Sequence, residues 1–166
     1  MSLDMEKLRR DWDEAWNNKW ARHLIPEPGA RRFEIELNGV TAVGALLEKG
    51  APKTCEAFWK SLPIRGNAIN AAWSGDMIRY VEKVDLPVAG LENVMTYGAP
   101  GHITFDVEER EIALVYGVCG FRMPSGPHRL TVFGQVTENL FALAHMCGRT
   151  RLDGVMPVEL RRAAGG

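Results

Sequence analysis

The sequence lacks the features that would assign it at once to a membrane, a secreted or a nucleic-acid-binding class. No apolar run approaches the roughly 20 residues that a membrane-spanning helix needs, and the charged N-terminus is not built as a basic and then apolar secretion signal. Lys and Arg total 20 against 21 Asp and Glu, so no positive field would concentrate a polyanion. We therefore expect a cytoplasmic protein whose partners include neither membrane nor nucleic acid.

Cysteines are few, and they do not indicate a disulfide framework. Cys55, Cys119 and Cys147 are an odd number at wide spacing, which favours reduced, buried thiols. Cys119 could alternatively be a nucleophile, because cationic neighbours such as Arg122 and His128 would lower the pKa of its thiol. A buried, inert thiol at the end of a strand is the favoured interpretation.

The sequence also lacks motifs for a metal or a nucleotide. The four histidines, His23, His102, His128 and His145, include no i, i+4 pair and have no cysteine or carboxylate at metal-ligand spacing. There is no phosphate-binding loop, no G-x-S-x-G and no CxxC motif. We therefore expect neither a metal nor a cofactor.

The first 25 residues read as a helical arm that precedes a single domain. One apolar stripe is spaced by four residues and consists of Leu8, Trp12, Trp16 and Trp20. Three tryptophans left in water would approach the largest apolar patch of an ordinary monomer, so something is expected to cover them. The arm packs either on its own domain or on a neighbouring subunit, and we expect a homo-oligomer. Residues 26–31, beginning Pro26-Glu27-Pro28-Gly29, are predicted to be a linker, and residues 32–162 the domain.

Short strands dominate the predicted domain. Phe33 to Leu37 alternates strictly, Asn38-Gly39 is a strong hairpin signal, and Val40 to Leu47 completes the pair. Further strands are predicted at Ala68–Trp73, Met77–Tyr80, His102–Val107, Glu111–Val118, Leu130–Phe133 closed by Gly134, and Val155–Leu160, where Pro157 suggests an edge or a bulge. The segments Val81–Gly90, Leu91–Gly101 and Arg122–His128 read as loops or turn-rich connections.

Two amphipathic helices are predicted within the domain. The first begins at about Pro52 and ends at Pro63, with a stripe formed by Cys55, Phe58, Trp59 and Leu62. The second is predicted to have Thr137 as its N-cap, Glu138 in its first turn, and Gly148 after its last apolar residue, with a stripe formed by Leu140, Leu143, Ala144 and Cys147. About eight short strands and two helices predict a mainly β fold, a closed antiparallel barrel whose open ends the helices cap.

The same residues carry a resemblance to a known family. Ala51-Pro52-Lys53-Thr54 with Glu56 and Phe58 resembles the opening of the first helix in cyclophilins, and Val132-Phe133-Gly134-Gln135-Val136 resembles their V-F-G-K-V run. The chain resembles still more a bacterial family of uncharacterised cyclophilin-like domain proteins. The shared motifs, which cover roughly residues 32 to 160, are Ala71-x-Trp73-Ser74-Gly75, Glu92-Asn93-x-x-Thr96-Tyr97 with Pro100-Gly101, and Tyr116-Gly117. The resemblance implies a cyclophilin-like barrel.

The resemblance does not extend to the isomerase site. Prolyl isomerisation in cyclophilins depends on an arginine within an F-H-R-x-x-P-x-F-M-x-Q-G run, and this chain has residues 70–77, NAAWSGDM, in that approximate place. A histidine of the family, three residues before the phenylalanine of V-F-G, is replaced by Leu130. The resemblance therefore implies the scaffold without the isomerase machinery, and fold alone does not establish function.

The preferred functional hypothesis is a small-molecule site at the mouth of the barrel, lined by Trp73, Tyr97 and Tyr116. It would bind, or convert, a small polar or carboxylated metabolite. The candidate ligand-binding residues are Trp73, Ser74, Met77, Asn93, Tyr97, Tyr116, Arg122 and His128. Phe121 and Phe133 would line the same pocket or belong to the barrel core, and Gln135 is a further polar anchor. Two alternatives stay open: a peptidyl-prolyl isomerase, and an oligomeric interaction module that acts through its tryptophan arm.

Overall fold

A computed structural model describes residues 27–164 and, in the N-terminal arm, residues 4, 6, 7, 10 and 11, of which the last four are helical. Twelve strands follow one another along the chain. They are β1 (Arg32–Leu37), β2 (Val40–Leu46), β3 (Ile64–Asn70), β4 (Gly75–Tyr80), β5 (Val94–Met95), β6 (Tyr97–Gly98), β7 (His102–Asp106), β8 (Glu111–Gly120), β9 (Arg122–Met123), β10 (Gly126–Pro127), β11 (Leu130–Glu138) and β12 (Met156–Arg162).

Eight of these strands close into an antiparallel barrel. The order around the wall is β2, β1, β12, β3, β4, β8, β7 and β11, and β11 pairs with β2 to complete the circle. The short strands β5 and β6 add to β11 and β8, while β9 and β10 pair with each other. Closure removes the exposed edges that an open sheet would have to protect. The predicted mainly β barrel of eight strands with two capping helices is confirmed.

The β1–β2 hairpin forms as the alternation predicts. Phe33, Ile35 and Leu37 are buried, and the turn is made by Asn38 at φ 47° and Gly39 at φ 84°. These positive angles suit the tight turn that joins two twisted antiparallel strands. The inward residues of this hairpin face the main core inside the barrel.

The first domain helix, Pro52–Ser61, closes one end of the barrel. Cys55 and Phe58 are fully buried, and the Phe58 ring lies 5.7 Å from that of Phe33 and 4.9 Å from that of Phe133. Trp59 is only partly buried, since it lies between the Arg31 and Arg162 side chains. The helix has no side-chain cap of its own. Its first amide groups are bound instead by Glu92, whose carboxylate accepts from the backbone N–H groups of Lys53 and Thr54.

The second domain helix, Leu140–Asp153, closes the opposite end, and its predicted bounds were wrong at both ends. Thr137 and Glu138 belong to β11, and the N-cap is Asn139 at φ 57°. Gly148 does not end the helix, which continues five residues to Asp153 and is followed by Gly154 at φ 83°. The Thr150 hydroxyl bonds the carbonyl of Cys147, and Thr150 is buried, so packing carries the helix past the glycine.

Three strand predictions also need correction. The strand predicted at residues 68–73 corresponds to β3, which begins four residues earlier and ends three residues earlier, and residues 72–74 form a turn. The strand predicted to close at Gly134 runs on to Glu138, because register shifts near Gly134 and Val136 let it bend from β7 onto β2. Pro157 is in neither an edge strand nor a bulge, since β12 lies between β1 and β3; it precedes the first residue that pairs with β1.

The barrel interior is filled with side chains. An apolar cavity of about 10 Å³ remains between residues of β1, β7 and β12 such as Ile35, Ile103 and Leu160. Such a volume holds one water molecule at most. This cavity is therefore too small to hold a metabolite.

The predicted tryptophan stripe lies outside the described residues, and so does Pro26. The described part of the linker is fixed to the barrel, because the Gly29 N–H bonds Leu46 O at 2.7 Å and Arg31 pairs with Glu48 and Glu56. Among the residues that the structure describes, no helix has the length and apolar character needed to cross a membrane.

Candidate ligand site on the outer face of the barrel

A second apolar cluster lies on the outer face of strands β4, β8, β7 and β11. Along β4 and β8, residues alternate between the main core and this outer cluster, as the period of two requires. Ile78 and Leu114 face the interior, whereas Met77 and Val115 face outward. The outer cluster also contains Leu47, Ala71, Ala113, Cys119, Phe121, Leu130 and Val132, with Met95 packed against it. Ala71, Met95 and Phe121 come from segments between the barrel strands, so these segments cover part of the outer face. The polar residues at the edge of the cluster, which we call its polar border, stay partly accessible.

Arg79 is the central cation of that border. It follows Met77 by two residues, so it shares the outward face of β4. Its Nη1 donates to Glu111 Oε2 at 2.8 Å, and its guanidinium carbon lies 5.8 Å from the centre of the Trp73 ring. Its Nε is buried and has no hydrogen-bond partner among the described atoms. A buried donor without an acceptor costs about 1–3 kcal/mol, more for a charged group, so this atom needs an explanation.

A second unpartnered polar atom lies in the same cross-strand row. Arg79 pairs with Ala113 across β4 and β8, and Ala113 pairs with Thr104 across β8 and β7. Thr104 is fully buried, and its hydroxyl oxygen has no hydrogen-bond partner in the described part of the chain. Only the methyl group of Ala113 separates the two positions. The cross-strand row Arg79–Ala113–Thr104 thus carries two unpartnered hydrogen-bonding groups, the Arg79 Nε and the Thr104 hydroxyl, with only a small side chain between them.

Asp106 and His128 form an oriented pair next to this row. Asp106 Oδ2 lies 2.8 Å from His128 Nε2, and Asp106 Oδ1 accepts from the backbone N–H groups of Glu108 and Glu109. The Asp106 side chain is 6% exposed and that of His128 is 23% exposed. A carboxylate held in this way fixes the imidazole and leaves the other ring nitrogen, Nδ1, available to a ligand.

Glu111 connects the two parts of the site. It pairs with Asp106 across β7 and β8, so the two side chains are neighbours on one face, and it also binds Arg79. Burial raises the pKa of the Glu111 carboxyl, and the Asp106 charge adds to this, while Arg79 acts in the opposite direction. Lys83 and Glu109 pair at 2.9 Å nearby and are about half exposed. The site therefore contains three carboxylates, two cations and one imidazole.

Two of the predicted ligand residues belong to this outer site, and a third packs beneath it. Trp73, 41% exposed, lies against Arg79, and His128 lies against Asp106. Met77 is buried in the outer cluster, where its sulfur lies 3.8 Å from that of Cys119. A chain of contacts joins the predicted residues Trp73 and His128 into one surface. It runs from Trp73 to Arg79, from Arg79 to Glu111, across the strand pairing to Asp106, and from Asp106 to His128.

Other predicted residues hold loops in place. The buried Ser74 hydroxyl donates to the carbonyl of Arg122 and accepts from its N–H, so it connects the β3–β4 turn to β9. The side-chain amide of Asn93 donates to Val132 O at 2.7 Å, and Asn93 itself turns the chain at φ 41°. The Arg122 side chain is exposed on β9. Phe121 and Phe133 are buried in the outer and main cores respectively.

The proposed mouth of Trp73, Tyr97 and Tyr116 is not assembled by the observed contacts. Tyr116 lies on the other side of the wall, where its hydroxyl donates to Asn70 Oδ1 at 2.7 Å and its ring lies 5.8 Å from the guanidinium of Arg151 on the second helix. Tyr97 pairs with Gly120 and is 73% exposed. Residues on opposite faces of one barrel wall cannot share a pocket, and the alternation along β8 separates Tyr116 from Val115.

The three cysteine thiols and the His102 imidazole are buried. Burial raises the pKa of the Cys119 thiol to about 11 and those of Cys55 and Cys147 to about 12, which argues against a cysteine nucleophile. Burial lowers the pKa of His102 to about 4. Across the described ranges, no group of three or more His, Cys, Asp or Glu side chains is arranged to hold a metal ion.

Sequence reasoning missed Arg79, Asp106 and Glu111. A signal for them existed, because the predicted strands His102–Val107 and Glu111–Val118 are separated by only three residues, a spacing typical of a β-hairpin. That pairing places Asp106 opposite Glu111, and the alternation of β4 places Arg79 on the face of Met77. What the sequence did not reveal is that this face points out of the barrel.

The fold and this surface define a closed eight-stranded barrel protein with a charged site on its outer wall. The chain belongs to the DUF3830 family, proteins of unknown function, whose pattern matches residues 33–162.

Solved structures show the same fold in more distant proteins. McbB, solved in complex with tryptophan, is similar with a TM-score of 0.61 and 19% identity over 81% of this chain. This chain spans only 45% of McbB. The hypothetical protein AF2241 from Archaeoglobus fulgidus, solved in solution, is similar with a TM-score of 0.56 and 20% identity over 82% of this chain and 98% of its own. No curated protein matches this chain significantly.

Proposed function

We propose that this protein binds a small polar, carboxylate-bearing metabolite on the outer face of β4, β8 and β7, with Arg79 as the partner of the carboxylate. The observation that carries the proposal is the buried Nε of Arg79, a charged donor that has no acceptor in the described part of the chain. A carboxylate oxygen satisfies this donor, and arginine binds carboxylates with two parallel hydrogen bonds. The Thr104 hydroxyl, two strands away in the same row, is the second polar anchor.

Trp73 acts as the cover of this site. Its ring lies over the guanidinium, it is partly exposed, and it stands in the turn between β3 and β4 rather than in a strand. Moving the indole aside uncovers Arg79, and the ring then contacts the apolar part of the ligand. An apolar wall with a few polar groups is the usual composition of a small-ligand site.

The charge of the site favours a ligand that also carries an amine. Two cations, Arg79 and Lys83, stand among three carboxylates, Asp106, Glu109 and Glu111, so a ligand that brings only negative charge meets repulsion on one side. A zwitterion places its carboxylate at Arg79 and its ammonium at the carboxylates. McbB, which shares the fold, was solved with an amino acid, tryptophan.

The Asp106–His128 pair supports conversion of the ligand as a second, enzymatic candidate. An imidazole oriented by a buried carboxylate is the arrangement that accepts a proton from a bound substrate. His128 Nδ1 is the atom that would accept it, because Nε2 faces Asp106.

We also propose that the barrel is cyclophilin-like in its evolutionary relationship. The helix opening at Pro52 and the Val132–Val136 run support it, together with the two helices at opposite ends. The isomerase arginine run has no counterpart in the sequence, so the function that we propose is ligand binding rather than prolyl isomerisation.

Thermal shift followed by calorimetric titration tests the site. Three probes with one aromatic group separate the charges: tryptophan carries both, indole-3-propionate the carboxylate and tryptamine the amine. They would be screened within a wider set of small acids, amino acids and amides. A probe at 100 times its dissociation constant adds about 2.7 kcal/mol to the free energy of unfolding.

Two matched double variants test the site. The first combines Arg79→Gln with Glu111→Gln, and the second, the control, combines Arg65→Gln with Glu159→Gln. Each pair of changes removes one Arg–Glu ion pair between neighbouring strands, and no charge is left unpaired. We expect the first variant to bind carboxylate-bearing probes at least tenfold more weakly than the wild type does, and the second variant to bind them with the wild-type affinity. Equal binding to the first variant and the wild type, or binding of amines alone, would contradict the proposal.

A further inference from the structure

The second domain helix presents an apolar stripe to solvent that nothing in the described part of the chain covers. Phe141 is 90% exposed and Leu152 is 81% exposed, although both are large and apolar. They share one helix face with His145 and Gly148, at positions i, i+4, i+7 and i+11. Val155, 54% exposed, extends the stripe just past the helix. Scattered single apolar residues are ordinary on a surface. Here two large ones lie on the same helix face, and a facing helix with apolar side chains at matching spacing would cover both.

The tryptophan stripe of the N-terminal arm matches this face in length and shape. Leu8 to Trp20 spans 12 residues, or about 18 Å if helical, and Phe141 to Leu152 spans 11 residues, or about 16.5 Å. Gly148 leaves a gap between His145 and Leu152, and a bulky ring from a facing helix fills such a gap. The described arm residues 6, 7, 10 and 11 are helical, which agrees with the predicted helix.

An arm that is helical to Leu24, as the sequence predicts, is too short to reach this face within its own chain. The described chain begins at Glu27, and Gly29 is bound to Leu46 at the end of the barrel that the first helix closes. If the predicted helix runs to Leu24, the span from Trp20 to Glu27 consists of four helical rises and three extended steps, which together reach only about 16 Å. The second helix closes the other end, and β12 runs from there to the first helix over six steps, about 20 Å. Allowing for strand tilt and a helix thickness of about 10 Å, the path to the outer stripe is roughly 25 Å.

We propose that the Trp12–Trp16–Trp20 stripe of one copy docks on the Phe141–Leu152 face of a second copy, in a reciprocal homodimer. Each buried tryptophan removes about 150–250 Å² from water, so six of them account for roughly 900–1,500 Å². Specific interfaces bury about 1,200–2,000 Å² in total, so the two arms with their receiving faces supply the area that a stable dimer needs. The proposal is independent of the ligand site, because the receiving helix closes the barrel end and the ligand site lies on the side wall.

The solution mass of the full chain tests the dimer. We expect sedimentation to give twice 18.5 kDa for the wild type and 18.5 kDa for either Trp16→Glu or Leu152→Glu. Val81→Glu is the control, since Val81 is 44% exposed and follows the far end of β4 from the second helix, and it should remain a dimer. Leu152 is on the surface of the folded chain, so Leu152→Glu should still unfold cooperatively, as a folded monomer does.

Disulfide cross-linking between introduced cysteines distinguishes an arm that docks on a second copy from an arm that docks on its own chain. We expect a mixture of Trp16→Cys and His145→Cys chains to form a disulfide-linked heterodimer under oxidation, since the three native thiols are buried. A monomeric wild type would overturn the proposal. So would a dimer that survives Leu152→Glu, or a Trp16→Cys, His145→Cys double variant that links only within single chains.

Discussion

Acidification should destabilise this protein through one histidine, His102. Its side chain is buried in β7, 3% exposed, and its Nδ1 accepts a hydrogen bond from the Ala99 N–H at 3.1 Å. Accepting this bond requires the neutral imidazole, and burial lowers the His102 pKa from 6.5 to about 4. The folded protein therefore resists a proton that the unfolded chain takes up readily.

The sign and the size follow from this difference in pKa. Because the folded pKa is the lower one, the stabilisation is complete above about pH 6.5 and is lost as the pH falls toward 4. Each unit of difference in pKa corresponds to about 1.4 kcal/mol, so protonation of His102 should lower the free energy of unfolding by about 3 kcal/mol over this range. That is a large part of a typical stability of about 5–15 kcal/mol.

Urea unfolding at a series of pH values measures the effect. The wild type should lose stability steeply between pH 6.5 and 4, and His102→Gln should lose about 3 kcal/mol less over the same range. If His102→Gln retains the wild-type slope, the histidine is not held neutral by burial and the reasoning is refuted.

Three further predictions concern the cap, the core and the thiols. Glu92→Gln should reduce the free energy of unfolding by about 0.5–2 kcal/mol, because the Glu92 carboxylate caps the Pro52–Ser61 helix, whereas Glu108→Gln at an exposed position should change it by less than about 0.5. Phe58→Ala should cost about 3–5 kcal/mol in urea unfolding, while Val118→Ala, 87% exposed, should cost under about 0.5. A thiol reagent at pH 8 should label none of the three cysteines before unfolding and all three in denaturant; rapid labelling of Cys119 in the folded protein would restore the nucleophile hypothesis.

The sequence was sufficient for the architecture because local signals and barrel closure agree. The alternation of β1, the Asn38-Gly39 turn and the proline-started helix each act over a few residues, so they are readable without tertiary information. The errors fell where packing overrides local preference. Gly148 reads as a helix end, yet the helix continues because its buried face, with Leu143, Cys147 and Thr150, is held against the barrel.

The site was only partly predictable for a related reason. Trp73 and His128 stood out as an aromatic and an imidazole in turns, but their partners Arg79, Asp106 and Glu111 are charged residues within strands. Such residues look like an ordinary solvated face until the strand order is known. Tyr116 was grouped with Trp73 as an aromatic wall of the predicted pocket, and only the alternation along β8 separates the two side chains.

Titration of indole-3-propionate, or of the strongest carboxylate found in the screen, into the wild type and the Arg79→Gln, Glu111→Gln variant is the most direct test of the ligand site. The account predicts saturable binding to the wild type at one site per chain and at least a tenfold weaker affinity for the variant. Arg65→Gln with Glu159→Gln should bind as the wild type does. Identical affinities for all three proteins would contradict the assignment of Arg79 as the carboxylate partner.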